Sequence, residues 1–201
     1  ATKTDLQGHL EWLTKSASAG GRLYLFFSGH GSPEPASGTP YLLPYDANPK
    51  DLAGSALRLS TVLEALEKSK AKEVLVFVDS CFSGAGGRSV LAPGTRPLVR
   101  VRDEAPGARV ALFAASAADE TSGPAPKEAR GAFTKYLTEG LGTGQADVNG
   151  DGQVTMQELA AWVSPRVTRA AKEDGRTQTP HLKVGTSMSS ADHVVVSWGY
   201  R

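Results

Sequence analysis

The sequence has a single cysteine among its 201 residues. One thiol cannot close an internal disulfide, so a disulfide-stapled secreted scaffold and a multi-cysteine zinc site are both excluded. An excess of charge of either sign is also missing, since 22 Lys and Arg stand against 21 Asp and Glu. No overall basic field exists to gather nucleic acid or anionic lipid, and neither is expected as a partner. No apolar run approaches the roughly 18 residues that a membrane-spanning helix needs, and no membrane role is expected. The chain opens at Ala1 with no charged and apolar leader. There is thus no targeting signal to read, and the compartment expected is the cytoplasm. What is present is an ordinary globular composition, 40% hydrophobic, at a length that one core accommodates. We expect one domain over residues 1–201.

Apolar strands alternate with amphipathic helices along the chain, which predicts an α/β domain with a largely parallel sheet. Thr4 is the expected cap of a first helix with Leu6, Leu10 and Leu13 on one face and Gly20-Gly21 as its stop. Leu23 to Phe27 is a continuous apolar run suited to a strand covered on both faces, and it leads directly into Ser28-Gly29-His30-Gly31. Residues 31–40 read as a Gly, Pro and Ser loop, followed by a short extended piece at Tyr41 to Pro44. Ser60 to Ser69 is a helix, and Val74 to Val78 the clearest buried strand, ending at Asp79-Ser80-Cys81. Residues 84–108 form a long exposed loop of the kind that is processed. Val110 to Ala115 is a strand, 131–141 a helix, and 155–173 a helical stretch bent at Pro165, with Val194 to Ser197 as a final strand.

His30 and Cys81 therefore fall at the carboxyl ends of neighbouring predicted strands, where open α/β sheets bind their ligands. Each alone has a plain structural explanation: a satisfied histidine in a Gly-rich turn, and a buried thiol. Together they make a reaction pair. A thiol is mostly protonated at neutral pH, and an adjacent imidazole both favours the thiolate and protonates a leaving amine. Gly29 and Gly31 let a substrate backbone approach, and the amides of Gly31 and Cys81 are candidate donors to a carbonyl oxyanion. A cysteine-phosphatase loop fits poorly, because Arg88 stands one position too far from Cys81 and Ser80 occupies the place of that family's histidine.

The segments Ser28-Gly29-His30-Gly31 and Asp79-Ser80-Cys81-Phe82-Ser83-Gly84 resemble the two catalytic signatures of caspase-like cysteine peptidases of the bacterial orthocaspase and metacaspase type. Tyr41 to Asp46, Ala114 to Ser122 and Phe133-Thr134 resemble further segments of the bacterial members. The resemblance implies a three-layer αβα sandwich with a mostly parallel sheet and an endopeptidase working through an acyl-enzyme without a cofactor. It also implies a first strand, a first helix and a second strand ahead of Ala1, an N-terminal fragment of the same precursor being the expected partner. The competing class is a catalytically silent caspase-like scaffold.

Strand alternation points Asp79 to the same side of the sheet as Cys81. Asp119 resembles the residue that completes an acidic specificity pocket in metacaspases and orthocaspases. Buried carboxylates select guanidinium or ammonium groups, so cleavage after Arg, then Lys, is expected in protein or peptide substrates. The alternative is that Asp79 caps a helix or turn and that Asp119 and Glu120 are solvated loop charges. Arg88, Arg96, Arg100 and Arg102 are candidate sites for self-cleavage or for an upstream activating protease. Residues 147–158 match a calcium-binding EF-hand loop, with Asp147, Asn149, Asp151, Gln153 and Glu158 as candidate ligands of a calcium ion. The alternative reading there is a turn followed by a Thr155–Glu158 capping box.

Overall fold

The structure is a computed structural model describing residues 1–82, 101–117, 120, 122–125, 130–188 and 194–197. In chain order its elements are α1 (Lys3–Ser16), β1 (Arg22–Ser28), β2 (His30–Pro33), β3 (Pro40–Leu43), α2 (Leu52–Ser55), β4 (Leu57–Arg58), α3 (Leu59–Glu67) and β5 (Glu73–Asp79). There follow β6 (Val110–Ala114), α4 (Ala132–Gly142), β7 (Gln153–Thr155), α5 (Met156–Glu173), β8 (His181–Val184) and β9 (Val194–Ser197).

The central sheet runs β1-β5-β6-β8, with β1, β5 and β6 parallel and β8 antiparallel to β6. Every residue of β5 is buried, as its unbroken apolar sequence requires of a strand covered on both faces. Val74, Val76 and Val78 of β5 and Val110 and Leu112 of β6 pack with Leu59, Val62, Leu63 and Leu66 of α3, and α1 leans on the same side through Leu6, Leu10 and Leu13. The alternate residues Leu75, Phe77, Ala111 and Phe113 face the other way, onto Phe133 and Leu137 of α4 and Leu159, Val163 and Val167 of α5. This is the expected helix, sheet, helix sandwich. Phe113 and Phe133 join β6 to α4 edge-to-face, with ring centroids 4.9 Å apart.

Several local expectations change. The cap of α1 is Thr2 rather than Thr4, because Thr2 forms a reciprocal capping box with Asp5. Residues 31–33 of the expected loop belong instead to a strand: β2 pairs with β3, and β3 with β4, in a small antiparallel sheet. His-Gly-Ser-Pro has little strand propensity of its own, and the pairing with Tyr41 to Leu43 decides it. Helix α5 continues through Pro165, its turns on either side held by buried Trp162, Val163, Val167 and Ala170. Strand β9 exists but pairs with β7 rather than with the central sheet.

Among the described residues β1 is an edge strand of the central sheet. Its apolar side chains are only partly covered: Tyr24 is 47% and Phe26 51% exposed, and Trp12 on α1 is 66% exposed. Leu10, Leu13, Leu25 and Phe27 join Trp12, Tyr24 and Phe26 along an apolar groove of about 340 Å³.

The second long helix carries a testable start signal. Thr155 Oγ1 accepts the Glu158 amide at 3.2 Å, while Glu158 Oε2 accepts the Thr155 amide at 2.9 Å. Thr155→Ala is expected to lower stability by about 1 kcal/mol, read as a shift in the urea midpoint at unchanged slope.

Candidate active site

The parallel register of β1 on β5 brings Ser28 opposite Asp79, so both strands end at one edge of the sheet. Beyond it the Gly29 amide donates to the Asp79 carbonyl at 3.2 Å. The chain then turns into β2, with His30 exposed opposite Leu43 and Gly31 opposite Leu42. A Cβ placed on Gly31 would stand 2.5 Å from Ser80 Oγ, 2.7 Å from the Cys81 carbonyl oxygen and 2.9 Å from Phe82 Cδ1. No side chain fits there. The residues on both sides of His30 thus touch the stretch 79–82, and the two strand-end motifs form one site.

Cys81 is fully buried. Its Sγ donates to the Ser122 carbonyl at 2.8 Å and lies 3.1 Å from Ser122 Oγ. Ser122 is firmly anchored. The next residue's amide, Gly123 N–H, donates to Gln178 Oε1 at 3.2 Å, and the Gly123 carbonyl accepts from Ala132 N at 2.9 Å. Gln178, itself fully buried, donates in turn to the Ala115 carbonyl at 3.0 Å, and Arg176 reaches the Pro124 carbonyl at 2.8 Å.

Asp79 is also fully buried. Its Oδ2 accepts the Thr134 amide at 3.3 Å and the Thr134 hydroxyl, and its Oδ1 accepts from Ser122 Oγ at 3.5 Å. The carboxylate therefore sits on the first turn of α4 beside Ser122, the residue that Cys81 contacts. It acts as a cap of α4, as the second of the two readings of Asp79 has it.

Asp119 lies outside the described residues. Its neighbour Glu120 is no solvated loop charge: its carboxylate accepts the amides of Ala117 at 3.2 Å and Thr179 at 2.5 Å and the Thr179 hydroxyl at 2.9 Å. Arg88, Arg96 and Arg100 also lie outside the described residues. Arg102 is exposed, yet its amide donates to the Gly38 carbonyl at 2.8 Å and its Nε to the Ser37 carbonyl at 3.1 Å.

In the loop 147–158, Asp147 accepts the amides of Gly150 at 2.8 Å, Asp151 at 3.2 Å and Gly152 at 2.9 Å. Asn149 and Asp151 bond within the same turn, and the Gln153 amide donates to Asp151 Oδ1 at 2.8 Å. Glu158 is engaged in the capping box of α5. Among the described residues no three His, Cys, Asp or Glu side chains are gathered as a metal site. The carboxylates serve the turn and the helix start in this structure.

Two residues of the site were not assigned roles from sequence, Ser122 and Thr134. Both lie in segments whose resemblance to bacterial caspase-like peptidases is visible, but a Ser or Thr in a loop or a helix's first turn carries no chemical signature of its own.

A model of the caspase-domain family matches residues 1–189, and the chain belongs to that family of cysteine peptidases. Catalysis in such peptidases requires no cofactor, and their substrates are proteins or peptides. A protein from Geobacter sulfurreducens with a known crystal structure shares the fold, with a TM-score of 0.64 at 19% identity over 95% of this chain and 76% of that one. No curated protein matches the sequence.

The contact at Gly31 is open to a direct check. Gly31→Ala places a methyl where backbone stands and is expected to cost about 1–3 kcal/mol and to lower any peptidase activity. Gly8→Ala, in α1 with nothing within 4 Å of the added carbon, is the control and is expected to raise stability by roughly 0.5–1 kcal/mol.

Proposed function

We propose that the chain is a cysteine endopeptidase that cleaves after Arg, and less readily after Lys, with Cys81 as nucleophile and His30 as its acid and base. The observation that carries this reading is the packing of Gly31 against Ser80, Cys81 and Phe82, which joins the histidine and cysteine motifs at one sheet edge. In the proposed cycle the Cys81 thiolate attacks the scissile carbonyl and the Gly31 and Cys81 amides stabilise the oxyanion. His30 protonates the leaving amine, and the resulting thioester is hydrolysed by a water that His30 deprotonates. Asp79 and Asp119 together bind the guanidinium of the residue before the cut.

The buried thiol beneath Ser122 supports control by a conformational step: the Ser122 carbonyl must leave Cys81 before a thiolate forms. Cleavage within 84–108, by the enzyme itself or by an upstream protease, is the proposed trigger. The open flank and exposed aromatics of β1 support a further strand from the N-terminal part of the same precursor lying there, since an apolar strand edge is otherwise a pairing hazard.

The same buried thiol favours one second reading, a silent scaffold. Fluorogenic peptides separate the two. The peptidase reading expects an arginyl over aspartyl preference of roughly a hundredfold or more. It also expects loss of turnover in Cys81→Ala and a fall of roughly 10² or more in kcat for His30→Ala. An arginyl chloromethyl ketone should label Cys81 in the wild type and not in His30→Ala. Absence of both cleavage and labelling, before and after proteolysis of the 84–108 segment, would establish the scaffold.

A further inference from the structure

We propose that the cavity on the α3 side of the sheet edge is a second substrate subsite, which takes a tyrosine side chain next to the arginine and bonds its phenol through Ser116; this rests on the reading of the chain as a peptidase that cleaves after Arg.

The sheet edge has two sides. Phe77 of β5 and Phe113 of β6 face α4 and α5, and Asp79, which follows the same alternation, meets Thr134 on α4. Val78, Phe82 and Leu112 pack on the α3 side instead. There lies a cavity of about 330 Å³, walled by Leu59, Phe82, Val101 and Leu112 and lined also by Ser116. Residues 101–104, which border it, are tied on both sides. The Arg102 amide donates to the Gly38 carbonyl at 2.8 Å, while Lys183 Nζ bonds the Asp103 carboxylate and donates to the Glu104 carbonyl at 3.0 Å. Phe82 follows Cys81 directly, which puts the cavity beside the proposed nucleophile.

The lining says what would fit. Among the described lining residues Arg102 and Lys183 are matched by Asp103 and Glu104, so no net charge there selects an ion. Ser116 is only 6% exposed, and among the described residues its Oγ has no hydrogen-bond partner. A buried hydroxyl left without a partner is costly, and in a native protein such a group calls for a partner from outside the fold. An apolar body that ends in a hydroxyl meets both features, and among side chains that is tyrosine. Phenylalanine would fill the same space and leave the serine unpaired. An extended peptide turns successive side chains to opposite faces. With the arginine on the Asp79 side, the residues immediately before and after it turn toward α3 and the cavity.

The experiment uses peptides with arginine before the scissile bond that carry Tyr, Phe or Ala immediately before the arginine in one set and immediately after it in another. Turnover is compared in the wild type and Ser116→Ala, and dissociation constants are measured for Cys81→Ala with and without Ser116→Ala, so that binding is read apart from chemistry. At one of the two positions the wild type is expected to favour Tyr over Phe about tenfold, in kcat/KM and in the dissociation constant. Ser116→Ala should bring that ratio close to one and leave the Phe and Ala peptides within about twofold. Its Tm should not fall, because the hydroxyl it removes has no partner within the fold to lose. A Tyr preference absent at both positions, one that survives Ser116→Ala, equal losses on the Tyr and Phe peptides, or a lower Tm for Ser116→Ala each overturn the proposal. If the peptides are cleaved after Arg with no such preference, only the subsite falls and the peptidase reading stands. If none is cleaved or bound, before or after proteolysis of the chain, the peptidase reading falls and the subsite with it.

Discussion

Seven residue pairs run in step along β1 and β5, from Arg22 opposite Glu73 to Ser28 opposite Asp79. A slip of one residue would turn Leu23, Leu25 and Phe27 out to the exposed side now held by Tyr24 and Phe26, so the register is specified by burial. Because the strands are parallel, their carboxyl ends coincide. The Gly29 amide then bonds the Asp79 carbonyl, and the missing side chain of Gly31 allows β2 to lie directly on Ser80, Cys81 and Phe82. The meeting of the histidine and cysteine motifs depends on this one pairing. The helices on either face matter to the chemistry chiefly by holding the two strands in register.

The second layer of control is the contact between the sheet edge and α4. Asp79 belongs at once to the strand that leads into Cys81, to the first turn of α4 and to the neighbourhood of Ser122. A buried carboxylate survives only where several donors meet it, and here those donors come from residues far apart in sequence.

Ser122 covers the buried sulfur of Cys81. Its carbonyl accepts the Cys81 thiol proton, and its neighbour Gly123 is tied to Gln178, which is bonded in turn to Ala115 at the end of β6. The cover is part of the core's hydrogen-bond network, so uncovering the sulfur means breaking bonds that also hold the end of the sheet. A family membership that names the chemistry says nothing about this contact.

The unbroken apolar runs of β1, β5 and β6, the amphipathic stripes of the helices and the two short motifs at the strand ends were legible because their signals are local: periodicity, Gly placement, and a lone Cys and a His at strand termini. By itself the sequence determined the α/β class and the alternation of layers. Only the tertiary structure decided that residues 31–33 would be part of a strand and that β9 would join β7. It alone placed Ser122 on the sulfur and Thr134 on Asp79. The physical reason is the same in each case. These features are hydrogen bonds whose donors and acceptors lie in different segments, and a Ser, a Thr or a short weak strand takes its role from the partner that folding brings to it.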